Sequence, residues 1–234
     1  MNPFLAVIIT FAVALGWLRL LDFLAHRGWI DSHLSRKLIH IGTGPLFVLC
    51  WLLFPDVWYA RWLAAVVPFL ITVQFLFIGL GLIKDEASVK AMSRTGDRRE
   101  ILYGPLFYGI VFVVMTLIYW KDTPTGMVAL MLMCGGDGLA DIMGRGIKSA
   151  RLPWSKGKSV AGSAGMFIGG WVLAAFITGV FVLAAVFAGP FSRFLLPITI
   201  IALVGTAVES LPFKDVDNIT VTLAAVLLGL ILFR

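Results

Sequence analysis

Two aspartates, Asp137 and Asp141, stand one helical turn apart in an otherwise apolar, glycine-rich segment. Side chains four residues apart project from the same face of a helix, and Arg145 continues that face one turn later. Carboxylates in a membrane segment are costly, so they usually face a polar cavity and mark a functional site. Gly136 and Gly138 carry no side chain and let a ligand or another backbone approach closely. These residues indicate a binding site, with a structural Asp–Arg network between helices as the alternative.

Carboxylates of this kind suit Mg²⁺, which takes one or two of them together with substrate phosphates. A basic segment rich in Gly and Ser follows, and it contains Lys158, Ser159 and Gly162. Its Gly-Lys-Ser triplet matches the end of a P-loop, but Leu152 occupies the place of that motif's first glycine, and no predicted strand precedes it. What remains is the start of a helix, where free N–H groups and the helix dipole favour an anion. The alternative is an ordinary basic loop, which would explain the lysines but not the Gly-Ser start of the helix.

Arg36, Lys37 and His40 stand at the start of another apolar run. Arg36 and His40 are one turn apart, so both can face the same site. Phosphate contact or proton handling is one interpretation of this cluster. A histidine that only packs at the end of a span is the other.

Glu209 ends a further apolar run, where a carboxylate opposes the helix dipole and capping does not explain it. Asp217 and Asn218 precede the last apolar run, and either would cap that helix. Helix capping is therefore a sufficient explanation for Asn218 but not for Glu209.

The elements that position these residues are transmembrane helices. The chain has 234 residues, of which 60% are hydrophobic and 14% charged, and its mean hydropathy is +0.97. A soluble domain of this size needs more polar residues for its exterior.

We predict an all-α, polytopic helical bundle that forms a single membrane domain over residues 1–234. About eight segments are long and apolar enough to span a bilayer, with seven as the alternative because the last two are short and Pro197 interrupts the seventh. They are residues 3–25, 38–54, 62–83, 101–120, 125–144, 160–188, 194–209 and 219–233.

Most of the 19 Lys and Arg residues fall in alternate loops, together with the span ends beside them. The positive-inside rule places these loops in the cytoplasm and the N-terminus outside. The net charge of +6 therefore indicates lipid head groups and anionic substrates as partners, and not nucleic acid. Nearly every candidate residue lies on this cytoplasmic side of a cell membrane. The reaction class would be phosphoryl or nucleotidyl transfer from a soluble nucleotide to a lipid.

The ordered motifs resemble the membrane-bound, CTP-dependent polyprenol kinases, a family that includes phytol, farnesol and dolichol kinases and the yeast-type diacylglycerol kinase. The resemblance covers about residues 35 to 222. The matching residues are Ser35-Arg36-Lys37 with His40, Glu100 with Gly104-Pro105 and Tyr108, Gly136-Asp137-Gly138 with Ala140-Asp141 and Gly144-Arg145, Lys158-Ser159 with Gly162-Ser163, Glu209-Ser210, and Asp217-Asn218 with Thr220.

The resemblance implies transfer of the terminal phosphate of a nucleotide, often CTP, to the hydroxyl of an isoprenoid alcohol such as phytol, geranylgeraniol or farnesol, or of diacylglycerol. Mg²⁺ or another divalent cation would assist. Phytol kinase is the nearest type, because the chain lacks the large extra membrane region of dolichol kinases. The implied metal ligands are Asp137 and Asp141, with Asp217 as a third. Glu209 or His40 would help to deprotonate the alcohol. The implied nucleotide and phosphate contacts are Arg36, Lys37, Gly136, Gly138, Arg145, Lys158, Ser159, Gly162 and Asn218.

Two alternatives remain. A cytidylyltransferase of the phosphatidate type has a similar acidic span and basic loop, but it also carries a His-Gly-Gly segment followed by Asp-Arg near its C-terminus. This chain has no histidine after residue 40.

A transporter also uses broken helices with charged residues, but it usually places them near the membrane midplane and often shows repeated halves. No repeat is visible here.

Overall fold

Apolar helices make up most of the protein. The structure is a computed structural model that describes residues 1–93, 95–212 and 217–234, without the side chains of residues 32, 90, 91 and 217. The α-helices of this part are Pro3–His26 (α1), Ser32–Cys50 (α2), Ala60–Leu80 (α3), Glu86–Met92 (α4), Gly104–Ile118 (α5), Pro124–Met131 (α6), Asp137–Gly146 (α7), Val160–Leu183 (α8), Ser192–Glu209 (α9) and Asp217–Leu232 (α10). The all-α prediction is confirmed, apart from one small hairpin of Arg151–Leu152 (β1) and Ser155–Ser159 (β2).

Seven helical segments of the described chain are long and apolar enough to cross a membrane. Two of them include short 3-10 turns, Trp51–Leu53 after α2 and Arg98–Leu102 before α5. The eighth predicted span corresponds to α10, whose apolar part Asn218–Leu232 is shorter than the others. Pro197 lies inside α9 without ending it. The protein is therefore a multi-pass membrane protein, with seven full-length spans and one shorter apolar helix.

The central span is built from α6, a π-helical turn at Leu132–Gly136, and α7. Every residue from Pro124 to Gly136 is buried, because neighbouring helices cover this span on all sides. A π turn adds one residue to the helix and is found frequently at functional sites. Here it lies directly before Asp137 and changes the direction in which the side chains of α7 project. The two aspartates therefore belong to the best-buried helix of the bundle.

Close backbone contact joins this span to α8. A methyl group at Gly135 would lie 2.6 Å from the Gly169 carbonyl oxygen, and one at Gly165 would lie 2.6 Å from the Leu139 carbonyl oxygen. No real Cβ makes such contacts, so only glycine allows the two backbones to approach this closely. Small residues at helix crossings are the usual means by which spans pack in a bilayer. The glycines of α8 thus hold the span that carries the acids.

An aromatic cluster fills the opposite end of the bundle. Trp51 is fully buried, and its ring centroid lies 5.0 Å from that of Trp120 and 6.0 Å from that of Phe47. Phe54 packs edge-on against Trp120, and Phe112 packs edge-on against Phe47. These five side chains close the ends of α2 and α5 that lie farthest from the acids. We call them the aromatic plug.

We expect Gly165→Ala to destabilise the protein, because the added methyl group would press against the Leu139 carbonyl and separate α8 from α7. Overpacking of this kind costs about 1–3 kcal/mol. The measurement is the unfolding free energy in mixed detergent micelles. Gly16→Ala on α1 is the matched control, since a Cβ there meets nothing within 4 Å. Equal stability of the two variants would contradict this account of the helix contact.

Candidate active site

One cavity of about 1450 Å³ contains most of the predicted site residues. Its polar end is lined by α2, α7, β2 and the end of α9, on the side where the basic loops lie. Its other end runs between α1, α2, α3 and α5 and is lined mainly by apolar side chains. Ordinary small-molecule sites occupy about 300–1,000 Å³. This cavity is larger, and it has the space and the two kinds of lining that a polar and an apolar ligand together require.

Asp137 and Asp141 both line the polar end, with side chains that are 32% and 20% exposed. Arg145 donates from Nε to Asp141 Oδ1 at 2.8 Å, which is the contact along the helix that their spacing predicts. The structure therefore brings these three residues together on one face of α7. The face points toward α2.

The facing residues of α2 are cationic or able to become so. Lys37 Nζ lies 3.8 Å from Asp137 Oδ2 and 3.5 Å from Asp141 Oδ2, so one ammonium group contacts both carboxylates. His40 Nε2 lies 3.4 Å from Asp137 Oδ2. His33 Nε2 lies 3.0 Å from Asp141 Oδ2. The ammonium group of Lys37 thus supplies a counter-charge to both acids, and the two imidazoles contact one acid each.

His33 is a site residue that the sequence analysis missed. The predicted cluster at the start of this span began at Arg36, three residues further along the chain. Its spacing to Lys37 and His40 is four and then three residues, which places all three side chains on one helical face. This spacing alone indicates that His33 belongs to the same cluster as Lys37 and His40.

Tyr108 supports His40 from the neighbouring helix. Its hydroxyl donates to the His40 carbonyl oxygen at 2.9 Å and lies 3.2 Å from the Cys134 sulfur. The two rings are 4.5 Å apart between centroids. These contacts fix the position of the imidazole beside Asp137.

The segment around Lys158 folds as a β-hairpin and not as the predicted loop. β1 and β2 pair in an antiparallel manner, and Trp154 at the turn donates from Nε1 to the Ser210 hydroxyl at 3.2 Å. The Ser159 hydroxyl accepts from the Gly162 N–H at 3.2 Å and caps α8. The helix start that the sequence predicted is therefore present, and both Ser159 and Gly162 line the cavity.

Lys158 forms an ion pair with Glu209, whose side chain is buried at the end of α9. Both line the cavity. A buried carboxylate requires such a partner, because desolvation of an unpaired charge is costly. The pair joins the hairpin to α9.

Arg36 and Asn218 also line the polar end, and each donates to a backbone carbonyl. Arg36 Nη1 lies 2.8 Å from the oxygen of Ser93, and Asn218 Nδ2 lies 3.4 Å from that of Gly104. The predicted third ligand, Asp217, begins α10, but its side chain lies outside the described residues.

Gly136 and Gly138 were predicted to contact the nucleotide, but the structure places both away from the cavity lining. A methyl group at Gly136 would meet Met166, and one at Gly138 would meet Ile41. Both glycines are buried by neighbouring helices. Their small size therefore serves helix packing, and their contact with a nucleotide stays a prediction.

The described residues contain no group of three or more His, Cys, Asp or Glu that could hold a metal ion. The two aspartates alone still fit Mg²⁺, which commonly takes one or two protein carboxylates and completes its shell with phosphates and water. One oxygen of this pair, Asp141 Oδ2, is buried and lies close to His33 Nε2 and Lys37 Nζ. A cation bound at this oxygen would therefore replace or share those two contacts.

These features define a polytopic membrane protein with an acid and cation site at one end of a largely apolar cavity. Known proteins of similar sequence extend this description. The chain is 43% identical over 230 residues to the probable chloroplastic phytol kinase of Triticum aestivum. The aligned residues make up 97% of this chain and 77% of that relative. It is 42% identical over 229 residues to the probable chloroplastic phytol kinase of Zea mays, over 97% of this chain and 75% of the relative.

The chloroplastic farnesol kinase of Arabidopsis thaliana is 39% identical over 230 residues, which is 96% of this chain and 74% of that relative. No model of a known protein family matches the chain, and no solved structure matches it. The identities and coverage place the chain in the family of phytol and farnesol kinases. The resemblance that the motifs indicated is confirmed.

We expect Lys158→Met to reduce stability by roughly 3 kcal/mol, because it removes the cation of a buried pair and leaves the carboxylate charged. Adding Glu209→Gln to that variant removes the charge and should restore most of the loss. Unfolding in mixed micelles measures both effects. Lys156→Met, at an exposed position of the same strand, is the control. A double variant that is less stable than Lys158→Met would contradict the importance of this pair.

Proposed function

We propose that the protein transfers the terminal phosphate of a nucleotide to the hydroxyl of an isoprenoid alcohol such as phytol, geranylgeraniol or farnesol. The observation that carries this proposal is the single cavity that joins the Asp137 and Asp141 face to an apolar chamber between spans. The named relatives are kinases of phytol and farnesol, which supports the same substrate class for this chain. They also favour a kinase over a cytidylyltransferase or a transporter.

The apolar chamber suits an isoprenoid chain. Its walls include Phe47, Val67 and Phe112, and its depth places them among the membrane spans. Apolar lining with few polar groups gives affinity through burial and leaves orientation to the polar end. An alcohol bound with its chain in this chamber would present its hydroxyl near Asp137 and His40.

The polar end suits the phosphates of a nucleotide. Arg36, Lys37, Arg145 and Lys158 supply positive charge from three different elements, and Ser159 marks the helix start that favours an anion. Phosphoryl transfer depends mainly on positioning and on neutralising charge, which is what such a set of groups provides. Lys37 is central to this proposal, since it contacts both acids and can also contact a phosphate held between them.

Asp137 and Asp141 would hold a divalent cation, with Mg²⁺ as the proposed ion. When bound, that ion would withdraw charge from the phosphates and so favour attack on the terminal one. The proposed role of the protein here is to supply two carboxylates on rigid α7 and to keep Lys37 and Arg145 beside them. Asp217 stays a proposed third ligand.

His40 is the residue we propose to accept the proton of the alcohol. Its Nε2 lies 3.4 Å from Asp137 Oδ2, and its side chain lines the polar end of the cavity. Glu209, the alternative, is engaged by Lys158, so we propose that it positions that lysine. A placed general base typically accelerates a reaction about 10²–10⁴-fold.

We propose CTP as the phosphate donor and the cytoplasmic side of a cell membrane as the location of the polar end. The basic loops support the orientation. The named relatives are described as chloroplastic, so a chloroplast membrane is the alternative location, with the basic loops facing the nucleotide there.

We expect Asp137→Asn to abolish measurable lipid phosphorylation and His40→Gln to lower kcat at least about 100-fold. The first change removes a metal-binding charge, and the second removes the base. The assay follows product mass with purified protein in lipid vesicles. Asp56→Asn is the control, because that side chain is almost fully exposed at the other end of the bundle. Undiminished activity of Asp137→Asn in folded protein would remove this residue from the site.

A panel of phytol, geranylgeraniol, farnesol and diacylglycerol with labelled CTP and ATP tests the reaction itself. We expect a lipid monophosphate and a nucleoside diphosphate, with an isoprenoid alcohol and CTP as the best pair. A CDP-lipid with released pyrophosphate would establish the cytidylyltransferase instead. Failure of all four alcohols would reject the kinase proposal.

A further inference from the structure

The first half of helix α1 packs into the core of the bundle. Ala6 is fully buried, and Val7 and Phe11 pack against the core. From Ala14 onward, one face of the helix lines the cavity. Another face stays attached to α2, where Trp17 donates from Nε1 to the Leu38 carbonyl at 3.3 Å. The second half of α1 is therefore held by α2 while the cavity separates it from α3.

The residues of α3 that face this space are Ile71, Gln74 and Phe75. Because α1, α2 and α3 each cross the bundle once, α1 and α3 run in the same direction and their second halves lie at similar depth. Leu15 is eleven residues from the end of α1 and Ile71 is nine from the end of α3, which is about 16 Å and 14 Å at 1.5 Å per residue. Both depths lie within the hydrocarbon core of a bilayer, which is about 30 Å thick.

This side of the cavity is open. Leu15 of α1 lines the cavity and is 54% exposed, and Gln74 of α3 also lines the cavity and is exposed. α1 packs mainly against α2 and α3, and it is the least buried of the seven long spans. The gap between α1 and α3 therefore faces the lipid.

We propose that this gap is a lateral portal through which the isoprenoid alcohol passes from the bilayer to the acids. The proposal rests on the proposed function, since it concerns the substrate of that same cavity. Its apolar sides are formed by Leu15 and Leu18 of α1 and by Ile71 and Phe75 of α3. A tail in the portal stays in contact with hydrocarbon throughout, so binding requires no transfer of the chain through water.

The portal has a polar edge on the side of the basic loops. Arg19 is one turn beyond Leu15, and Gln74 is one turn beyond Ile71; both line the cavity. Polar side chains inside membrane spans usually face a cavity and mark a ligand pathway. This edge gives the hydroxyl of an incoming alcohol hydrogen-bond partners at the level where it leaves the hydrocarbon. It also orients the alcohol with its hydroxyl toward the polar end.

A lateral portal has a consequence for substrate choice. The enclosed chamber is short, because the aromatic plug begins at Phe47, only seven residues or about 10 Å along α2 from His40. If the isoprenoid tail of the alcohol is longer than the chamber, the rest of the tail extends through the portal into the lipid. We therefore expect alcohols with three and four isoprene units to react with kcat/KM values within a few-fold of each other.

The first test narrows the portal. Leu15→Trp and Ile71→Trp should each lower kcat/KM for geranylgeraniol in vesicles about tenfold or more, while the KM for the nucleotide and the rate with a water-soluble five-carbon alcohol change less than twofold. Leu20→Trp on α1 and Leu70→Trp on α3 are the controls, because both side chains are exposed and neither lines the cavity. Portal variants that match these controls would overturn the proposal.

The second test needs no turnover. A geranylgeraniol analogue with a diazirine on its terminal isoprene unit is photolysed in vesicles with the protein, and labelled residues are mapped by mass spectrometry. We expect labelling at residues 14–18 and 71–75 that excess geranylgeraniol competes away, and labelling near residues 20 and 70 that it does not. Competed labelling on other helices, or none at all, would refute the portal.

The two tests separate this proposal from the proposed function. A protein that makes lipid phosphate but shows no portal effect keeps the kinase assignment and loses the portal. A protein with competed portal labelling and no lipid phosphate keeps the portal and loses the kinase assignment.

Discussion

The close contact between α8 and the central span is the constraint on which the site depends. Gly165 and Gly169 let the two backbones meet without intervening side chains, and Gly135 provides the matching surface within the π turn. A helix held this tightly cannot rotate, so Asp137 and Asp141 keep their direction into the cavity. The same contact brings the start of α8, with Ser159 and Gly162, beside the end of α7.

Charge balance is the second constraint. Two carboxylates on one helical face repel each other and lose hydration among apolar spans, so each needs a counter-charge. Lys37 of α2 supplies it to both acids, and Arg145 adds to it from α7. His33 and His40 contact the acids from the same face of α2. The same charge contacts therefore stabilise the packing of α2 against α7 and hold the site residues in place. Ligands that enter the polar end must rearrange contacts that already exist there.

Much of the fold and part of the candidate site could be predicted from the sequence. Spans are predictable because a bilayer demands about 20 apolar residues, and the spacing of Asp137, Asp141 and Arg145 reveals a shared face whatever the surrounding fold. Side-chain neighbours on different helices are harder to predict, since their contact depends on how the helices cross. The pairing of Lys37 with both acids and that of Lys158 with Glu209 are of this kind. The π turn and the packing of Gly136 against Met166 also escaped prediction, because glycine near an acid is equally expected for ligand contact and for helix packing.

The aromatic plug has an electrical consequence. A wet cavity that reaches far into a membrane shortens the insulating path, and a membrane that leaks ions loses its potential. Trp51, Trp120 and Phe54 are buried and pack ring against ring at the far end of the bundle. We expect such packing to exclude water and ions, so that the membrane voltage drops mainly across the plug and charges at the polar end stay near the potential of the compartment that the basic loops face. A protein built in this way can keep a charged site deep in a bilayer without becoming a channel.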